Sequence, residues 1–159
     1  MSHSPPDDRP HPYPRHVAVV GAAGGLGQGI LTVCRDEGVG FTAIVRSRPE
    51  RITNVPSGSR VAVVPSLADR SALSAAFAGA DAVLTALGVT ATSQDPSASL
   101  AANMESVERS MIDAGVDRVV VIQCSTAHGI RLLYSRQTGH RCDLESEGQF
   151  HRYRPSTAM

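Results

Sequence analysis

The stretch that decides the fold is Val17-Ala-Val-Val-Gly21-Ala-Ala-Gly24-Gly-Leu-Gly27-Gln-Gly-Ile30. An apolar run of strand type leads directly into three glycines spaced three residues apart, and a helical pattern follows them. In such a turn the first glycine permits a tight bend, the second lets backbone amides approach a pyrophosphate, and the third lets the helix lie against the sheet. Unpaired amides at the helix start favour an anion. The turn predicts a dinucleotide site formed by Gly21, Ala23, Gly24, Gly25, Leu26 and Gly27.

Around this turn the chain alternates between short apolar runs and helical stretches. The nearly continuous apolar runs are typical of strands buried on both faces of a parallel sheet. Strands are predicted at His16–Val20, Phe41–Arg46, Arg60–Val64, Asp81–Leu87 and Arg118–Gln123, and helices at Gly25–Glu37, Asp69–Phe77 and Pro96–Ala114. The alternation predicts an α/β fold, a doubly wound Rossmann-type parallel sheet with five recognisable strands.

Helix signals support this division. Asp69 is a natural N-cap for the second predicted helix, and Gly79 follows its end. Within the third predicted helix an apolar stripe is expected to face the sheet because its residues recur at helical spacing. The stripe consists of Leu100, Met104, Val107, Met111 and Ile112.

Composition limits the function classes. Fifteen acidic and fifteen basic residues cancel, so no net field favours nucleic acid or an anionic membrane. All the basic residues are arginines, so no lysine is present for acid, base or Schiff-base chemistry. The cysteines Cys34, Cys124 and Cys142 have neither disulfide nor metal-ligand spacing, and no run has the length of a signal peptide or membrane span. We expect a cytoplasmic protein without a metal.

Two arginines follow the second predicted strand, where a dinucleotide site distinguishes its cofactors. An acid there would bind the ribose 2′-hydroxyl of NAD, but the chain has Arg46 and Arg48. Guanidinium groups bind a phosphate through paired hydrogen bonds. The alternative is that both are ordinary surface charges. The sequence favours NADP(H), with NAD(H) the weaker candidate.

Together with the glycine turn, three further stretches resemble the atypical short-chain dehydrogenase/reductase superfamily, nearest its NmrA-like and biliverdin/flavin-reductase-like branches. These stretches are Val45–Pro49, Ala78–Val83 and Ala114–Val120, within a resemblance that runs from about His16 to Ser125. An arginine at the end of the second strand is a usual phosphate contact in the superfamily. The resemblance therefore implies an NAD(P)-binding Rossmann domain, here predicted for residues 16–130.

The resemblance also implies contacts beyond the turn. After the third strand, relatives carry an acid that holds the adenine, where this chain has Ser66 followed by Leu67. After the fourth strand, Leu87 and Gly88 match the loop beneath the cofactor. Gly88 either allows close approach of the nicotinamide ribose or simply ends a strand.

The candidate catalytic residues depart from the pattern of the superfamily. Reductases of the superfamily commonly use a Tyr-x-x-x-Lys pair, but Tyr134 is followed four residues later by Thr138. The serine that usually assists falls at Cys124 or Ser125, of which Ser125 is preferred. His128 could donate a proton or be an ordinary loop residue. Ser125 and Tyr134 are the candidate catalytic residues, and enzymatic activity stays open.

The two ends of the chain are predicted to lie outside the main domain. Residues 1–15 carry five prolines and few aliphatics, so a disordered leader is expected. Residues 131–159 form a divergent polar tail in which the usual sixth strand and substrate lobe are truncated or replaced.

Three functions remain open: an NADPH-dependent oxidoreductase acting on a flavin, quinone or similar small molecule, a non-catalytic redox sensor, or a truncated fragment. The expected partners are a small-molecule substrate and either a protein or a second copy in a homodimer, with no nucleic acid and no membrane.

Overall fold

Five parallel strands form the main part of the sheet. The computed structural model describes residues 14–87, 96–125, 129–136 and 151–152. The strands are β1 His16–Val20, β2 Gly40–Val45, β3 Arg60–Val63, β4 Ala82–Thr85 and β5 Arg118–Ser125, and the helices are α1 Gly25–Asp36, α2 Arg70–Phe77 and α3 Pro96–Ala114. They pair in the order β3-β2-β1-β4-β5. This confirms the predicted doubly wound Rossmann-type sheet.

Two further strands extend the sheet beyond β5. β6, Gly129–Arg136, pairs antiparallel with β5, and β7, His151–Arg152, pairs parallel with β6. β6 was not predicted from the sequence, and most of it falls within the part of the chain expected to be a divergent polar tail. Only residues 126–128 separate β5 from β6. A parallel pairing needs a crossover of about a dozen residues or more, so this connection permits only an antiparallel pair.

The core lies on both faces of β1. Val17 and Val19 face α1 together with Leu31, whereas Ala18 and Val20 face the side covered by α2 and α3. All five of these side chains are at most 3% exposed. Alternate residues of a strand point to opposite faces, so a continuous apolar run is what a doubly covered strand requires.

The buried face of α3 differs from the prediction at Ile112, and the side chain of Leu100 lies outside the described part of the chain. Val107 and Met111 are buried as expected, but Ile112 is 61% exposed and Ser110 is buried instead. Successive helical residues point about 100° apart, so Met111 and Ile112 cannot both lie at the centre of one face. The buried Ser110 hydroxyl donates a hydrogen bond to the Ser106 carbonyl at 2.8 Å, which satisfies its polar group.

The ends of α2 follow the sequence signals. The Asp69 carboxylate accepts a hydrogen bond from the Ala72 amide at 3.0 Å, which confirms it as the N-cap. At the other end, Arg60 of β3 donates to the Ala75 and Ala76 carbonyls at 3.3 and 3.2 Å. A cation at a helix C-terminus offsets the partial negative charge of the unpaired carbonyls.

Two glycines of the turn between β1 and α1 are required by packing. Gly21 has φ of 80°, and a Cβ there would lie 2.7 Å from the Ala86 carbonyl oxygen. A Cβ on Gly27 would lie 2.3 Å from the Gly21 carbonyl oxygen. Gly24 differs, since its φ is −76° and a Cβ would meet nothing nearer than 3.5 Å. The fold therefore accepts a side chain at position 24 but not at positions 21 and 27.

Matched serine substitutions test this difference. Gly27→Ser should lower the free energy of unfolding by about 1–3 kcal/mol or more, because the new side chain overlaps backbone atoms. Gly24→Ser should leave it unchanged or raise it slightly, because serine is a preferred N-cap in extended backbone. Urea denaturation of both variants measures the two values, and an equal loss in both would contradict the steric account.

Candidate functional site

An open cleft of about 290 Å³ lies at the carboxyl ends of the first four parallel strands. In doubly wound sheets this edge binds ligands, at the point where strand order reverses. Here the reversal falls at β1 and β4, and the cleft includes the residues that follow both. Its lining residues are Val20, Gly21, Ala23, Gly24, Ile44, Val45, Arg46, Ser47, Val64, Leu67 and Leu87.

The cleft contains about half of the residues predicted to bind the cofactor. Those that line it are Gly21, Ala23, Gly24, Arg46, Leu67 and Leu87. Those outside its lining are Gly25, Leu26, Gly27, Arg48 and Ser66. Gly88 lies outside the described residues, as do His128 and residues 1–13 of the predicted leader.

Five lining residues were missed in the sequence: Val20, Ile44, Val45, Ser47 and Val64. Four of them are apolar residues at or just beyond strand ends, which resemble core residues in sequence. Their position at the carboxyl end of a predicted parallel strand is the signal that could have found them.

The start of α1 provides the anion-binding part of the cleft. Gly24 is the N-cap, and it supplies no side-chain hydrogen bond to the first turn. The first turn holds no acidic residue. Helix amides at this position lack intrahelical partners and carry partial positive charge. A negatively charged group can therefore bind here through backbone amides alone.

The end of β2 provides the cationic part. Arg46 is exposed and lines the cleft next to Ser47. Arg48 lies outside the lining, in left-handed backbone with φ of 57°, where it precedes a short 3-10 helix at Pro49–Arg51. Neither guanidinium forms an ion pair with another described residue. Of the two predicted arginines, only Arg46 therefore stands in the cleft.

Apolar side chains form the wall near β3. Ile44, Val64 and Leu67 are at most 7% exposed, so their cleft-facing atoms continue the core between the sheet and α2. Ser66 is exposed, and its hydroxyl accepts a hydrogen bond from the Ala68 amide at 3.2 Å. The serine at the position of the expected acid thus serves a local turn before α2.

The two candidate catalytic residues lie at different positions along the strand direction of the sheet. Ser125 is the last residue of β5 and pairs with Gly129, whereas Tyr134 pairs with Val120. Five strand residues separate these positions, about 17 Å at the usual rise. Ser125 lies at the same sheet edge as the glycine turn, and the strand register places Tyr134 toward the opposite edge. The structure does not bring the pair together.

Other chemistries find little support in the described residues. Burial raises the pKa of the Cys34 thiol, which makes it a poor nucleophile at neutral pH. Within the described residues, no group of three histidine, cysteine or acidic side chains could hold a metal ion. None of the helices in that part of the chain is long and apolar enough to cross a membrane.

Solved structures with a similar fold include NAD(P)-binding proteins and a nucleotide-sugar epimerase. A Rossmann-fold NAD(P)-binding family protein from Shigella flexneri has a TM-score of 0.54 and 22% identity, over 66% of this chain and 49% of that one. A wide-type short-chain dehydrogenase/reductase from Veillonella parvula, solved with NADP, has a TM-score of 0.55 and 17% identity, over 71% and 49%. A nucleoside-diphosphate-sugar epimerase from Pseudomonas aeruginosa has a TM-score of 0.56 and 22% identity, over 91% and 42%. This chain spans about half of their length or less.

The family is established by sequence. No curated protein sequence matches this chain significantly. A family model described as NAD(P)H-binding matches residues 21–140, which is more than half of the chain and includes the glycine turn and Arg46. The resemblance to the atypical short-chain dehydrogenase/reductase superfamily is confirmed at the level of fold and NAD(P)H binding, while the NmrA-like and flavin-reductase-like branches stay predictions. The chain belongs to the NAD(P)H-binding family of Rossmann-fold proteins.

Proposed function

We propose that the protein is an NADPH-dependent oxidoreductase that acts on a flavin, a quinone or a similar ring. The cofactor choice rests on one observation, that the same cleft is lined by Arg46 and by Gly24, the N-cap of α1, which gives the helix start no side-chain hydrogen bond. These two features suit the two phosphate groups by which NADP(H) is bound, namely the pyrophosphate and the 2′-phosphate.

The glycine turn fits the pyrophosphate. Close packing requires glycine at positions 21 and 27. At position 24, which lines the cleft, no neighbouring protein atom would clash with a Cβ. Glycine at position 24 leaves room for a phosphate to approach the amides of the first helical turn. The chain itself therefore contributes a neutral backbone cradle, and α1 contributes the partial positive charge of its dipole.

Arg46 supports the choice of NADP(H) over NAD(H). A guanidinium binds a phosphate through charge-assisted hydrogen bonds, while a ribose 2′-hydroxyl is best bound by a carboxylate. The segment Arg46–Arg48 contains no acid. Because Arg46 has no ion-pair partner among the described residues, binding a phosphate requires no existing ion pair to break.

The proposed substrate class rests on the poor fit of Ser125 and Tyr134 to the role of proton donor. NADPH supplies the hydride when bound. Reduction of a simple carbonyl also needs a proton donor at the developing alkoxide. The chain has no lysine to lower the pKa of a tyrosine, and Tyr134 is remote from Ser125 in the strand register. A flavin or quinone spreads the negative charge over its ring, so it depends less on such a donor.

Cofactor preference tests the role of Arg46. The unaltered protein should bind NADPH more tightly than NADH in calorimetry. Arg46→Asp should reverse the preference, since it removes a charge-assisted phosphate contact of about 1.5–3 kcal/mol, roughly tenfold or more in Kd. Arg48→Asn is the matched control, because asparagine accepts the left-handed backbone at that position. It should cause the smaller loss, and equal binding of both cofactors by the unaltered protein would refute the proposal.

Substrate panels test the reaction class. NADPH oxidation should be measurable with flavins or quinones, whereas simple aldehydes and ketones should react more slowly by about 10²–10⁴, the usual contribution of a positioned acid. A Gly24→Val variant, whose side chain fills the phosphate space, gives the background rate. Efficient reduction of a simple aldehyde that disappears in Tyr134→Phe would show that the tyrosine is catalytic and that this assignment is wrong.

A further inference from the structure

The segment that follows β2 is held against α1 at three backbone carbonyls. The Gln28 side-chain amide donates to the Arg51 carbonyl at 2.7 Å. The Arg35 guanidinium donates to the Thr53 carbonyl at 2.7 Å and to the Asn54 carbonyl at 2.9 Å. Both side chains come from α1, so this helix holds the part of the segment from Arg51 to Asn54.

This segment needs external support because little regular structure holds it. Arg48 and Asn54 both have positive φ, 57° and 52°, and each such non-glycine residue costs free energy. Between them only one turn of 3-10 helix forms, with the Arg51 and Ile52 amides bonded to carbonyls three residues earlier. Ile52 is 7% exposed and packs into the core on the α1 side. The contacts from Gln28 and Arg35 supply the remaining restraint.

Arg35 also connects the segment to β2. Its guanidinium carbon lies 5.6 Å from the centre of the Phe41 ring, and Phe41 is a fully buried residue of β2. A planar guanidinium can stack on a ring while its fork donates in plane, which an ammonium group cannot do. Arg35 thus links α1, the strand that leads to Arg46, and the segment that follows it.

Helix α1 therefore connects the anion-binding part of the cleft with the cationic part at Arg46. The first turn of the helix carries the anion-binding amides, and Gln28 and Arg35 farther along the same helix hold the segment after Arg46. The sheet fixes the chain before Arg46, where the Gly21 and Ala22 amides both donate to the Ile44 carbonyl at 3.2 Å, and the contacts from Gln28 and Arg35 hold the chain after it. A side chain on backbone that is already held in place requires less ordering when it binds a phosphate.

We propose that Gln28 and Arg35 are positioning residues that set the preference for NADP(H) over NAD(H), an inference that rests on the proposed cofactor. They hold Arg46 at the reach of the 2′-phosphate while the amides of α1 bind the pyrophosphate. Loosening them weakens the contact that only NADP(H) makes and leaves the contacts common to both cofactors.

Three variants distinguish an effect of positioning from an effect of lost charge and from a general loss of folding. Gln28→Met removes a donor without changing charge. Arg35→Met removes the fork and the charge but keeps an apolar stem over Phe41, and Arg35→Lys restores the charge without the fork. Arg109→Met is the matched control, because Arg109 is an exposed arginine of α3 that pairs with Glu105 of its own helix.

The readout is the ratio of the Kd for NADH to the Kd for NADPH, measured with thermal unfolding to confirm that each variant is folded. In Gln28→Met and Arg35→Met the ratio should fall about fivefold, the equivalent of one or two lost hydrogen bonds, with the Kd for NADH nearly unchanged. Arg35→Lys should lie between Arg35→Met and the unaltered protein. Arg109→Met should leave the ratio unchanged.

Specific results would overturn the inference. Gln28→Met is the mildest change. If it weakens the binding of NADPH and NADH equally, the contacts are structural and do not set the cofactor preference. A normal ratio in Arg35→Lys beside a lowered ratio in Arg35→Met would assign the effect to charge. If the unaltered protein shows no preference for NADPH, the proposed cofactor is wrong. If the unaltered protein prefers NADPH and all the variants keep that preference, only the positioning role is refuted.

Discussion

The structure depends on the contact between α1 and the turn that precedes it. At Gly27 the helix backbone approaches the Gly21 carbonyl so closely that even a methyl group would overlap it. This approach lets Leu31 enter the core against β1 and leaves the N-cap Gly24 in the lining of the cleft. Because the anion-binding amides and the side chains that hold the segment after β2 all belong to α1, an error in the placement of this helix would disturb every part of the proposed site.

Much of the fold was predictable because its signals are local. Continuous apolar runs marked the five parallel strands, and Asp69 marked the start of α2 as its cap. The errors arose where the deciding information was not local. β6 was missed because its short apolar run lies in a polar, arginine-rich part of the chain, and its place in the sheet follows from the short connection to β5. Ile112 was misplaced because its neighbour Met111 already occupied the buried face of α3.

The site was predictable in type but only partly in detail. Glycine spacing located the cleft, since the steric rules for such a turn act within a few residues. Sequence could not distinguish Arg46 from Arg48, because the left-handed backbone at Arg48 is what separates them. The contacts from Gln28 and Arg35 were also hidden, because they join positions that are 18 to 23 residues apart and end on carbonyls, which leave no side-chain pattern.

The central claim is that backbone amides at the start of α1 and the side chain of Arg46 together bind NADP(H). Amide NMR spectra of the isotope-labelled protein, recorded during titration with NADP⁺, test it most directly. We expect the largest shifts at the amides of Gly25 and Leu26 and at Arg46, with little change at exposed positions of α3 such as Arg109. Binding of NADP⁺ that leaves the turn amides unshifted, or the absence of binding, would contradict it.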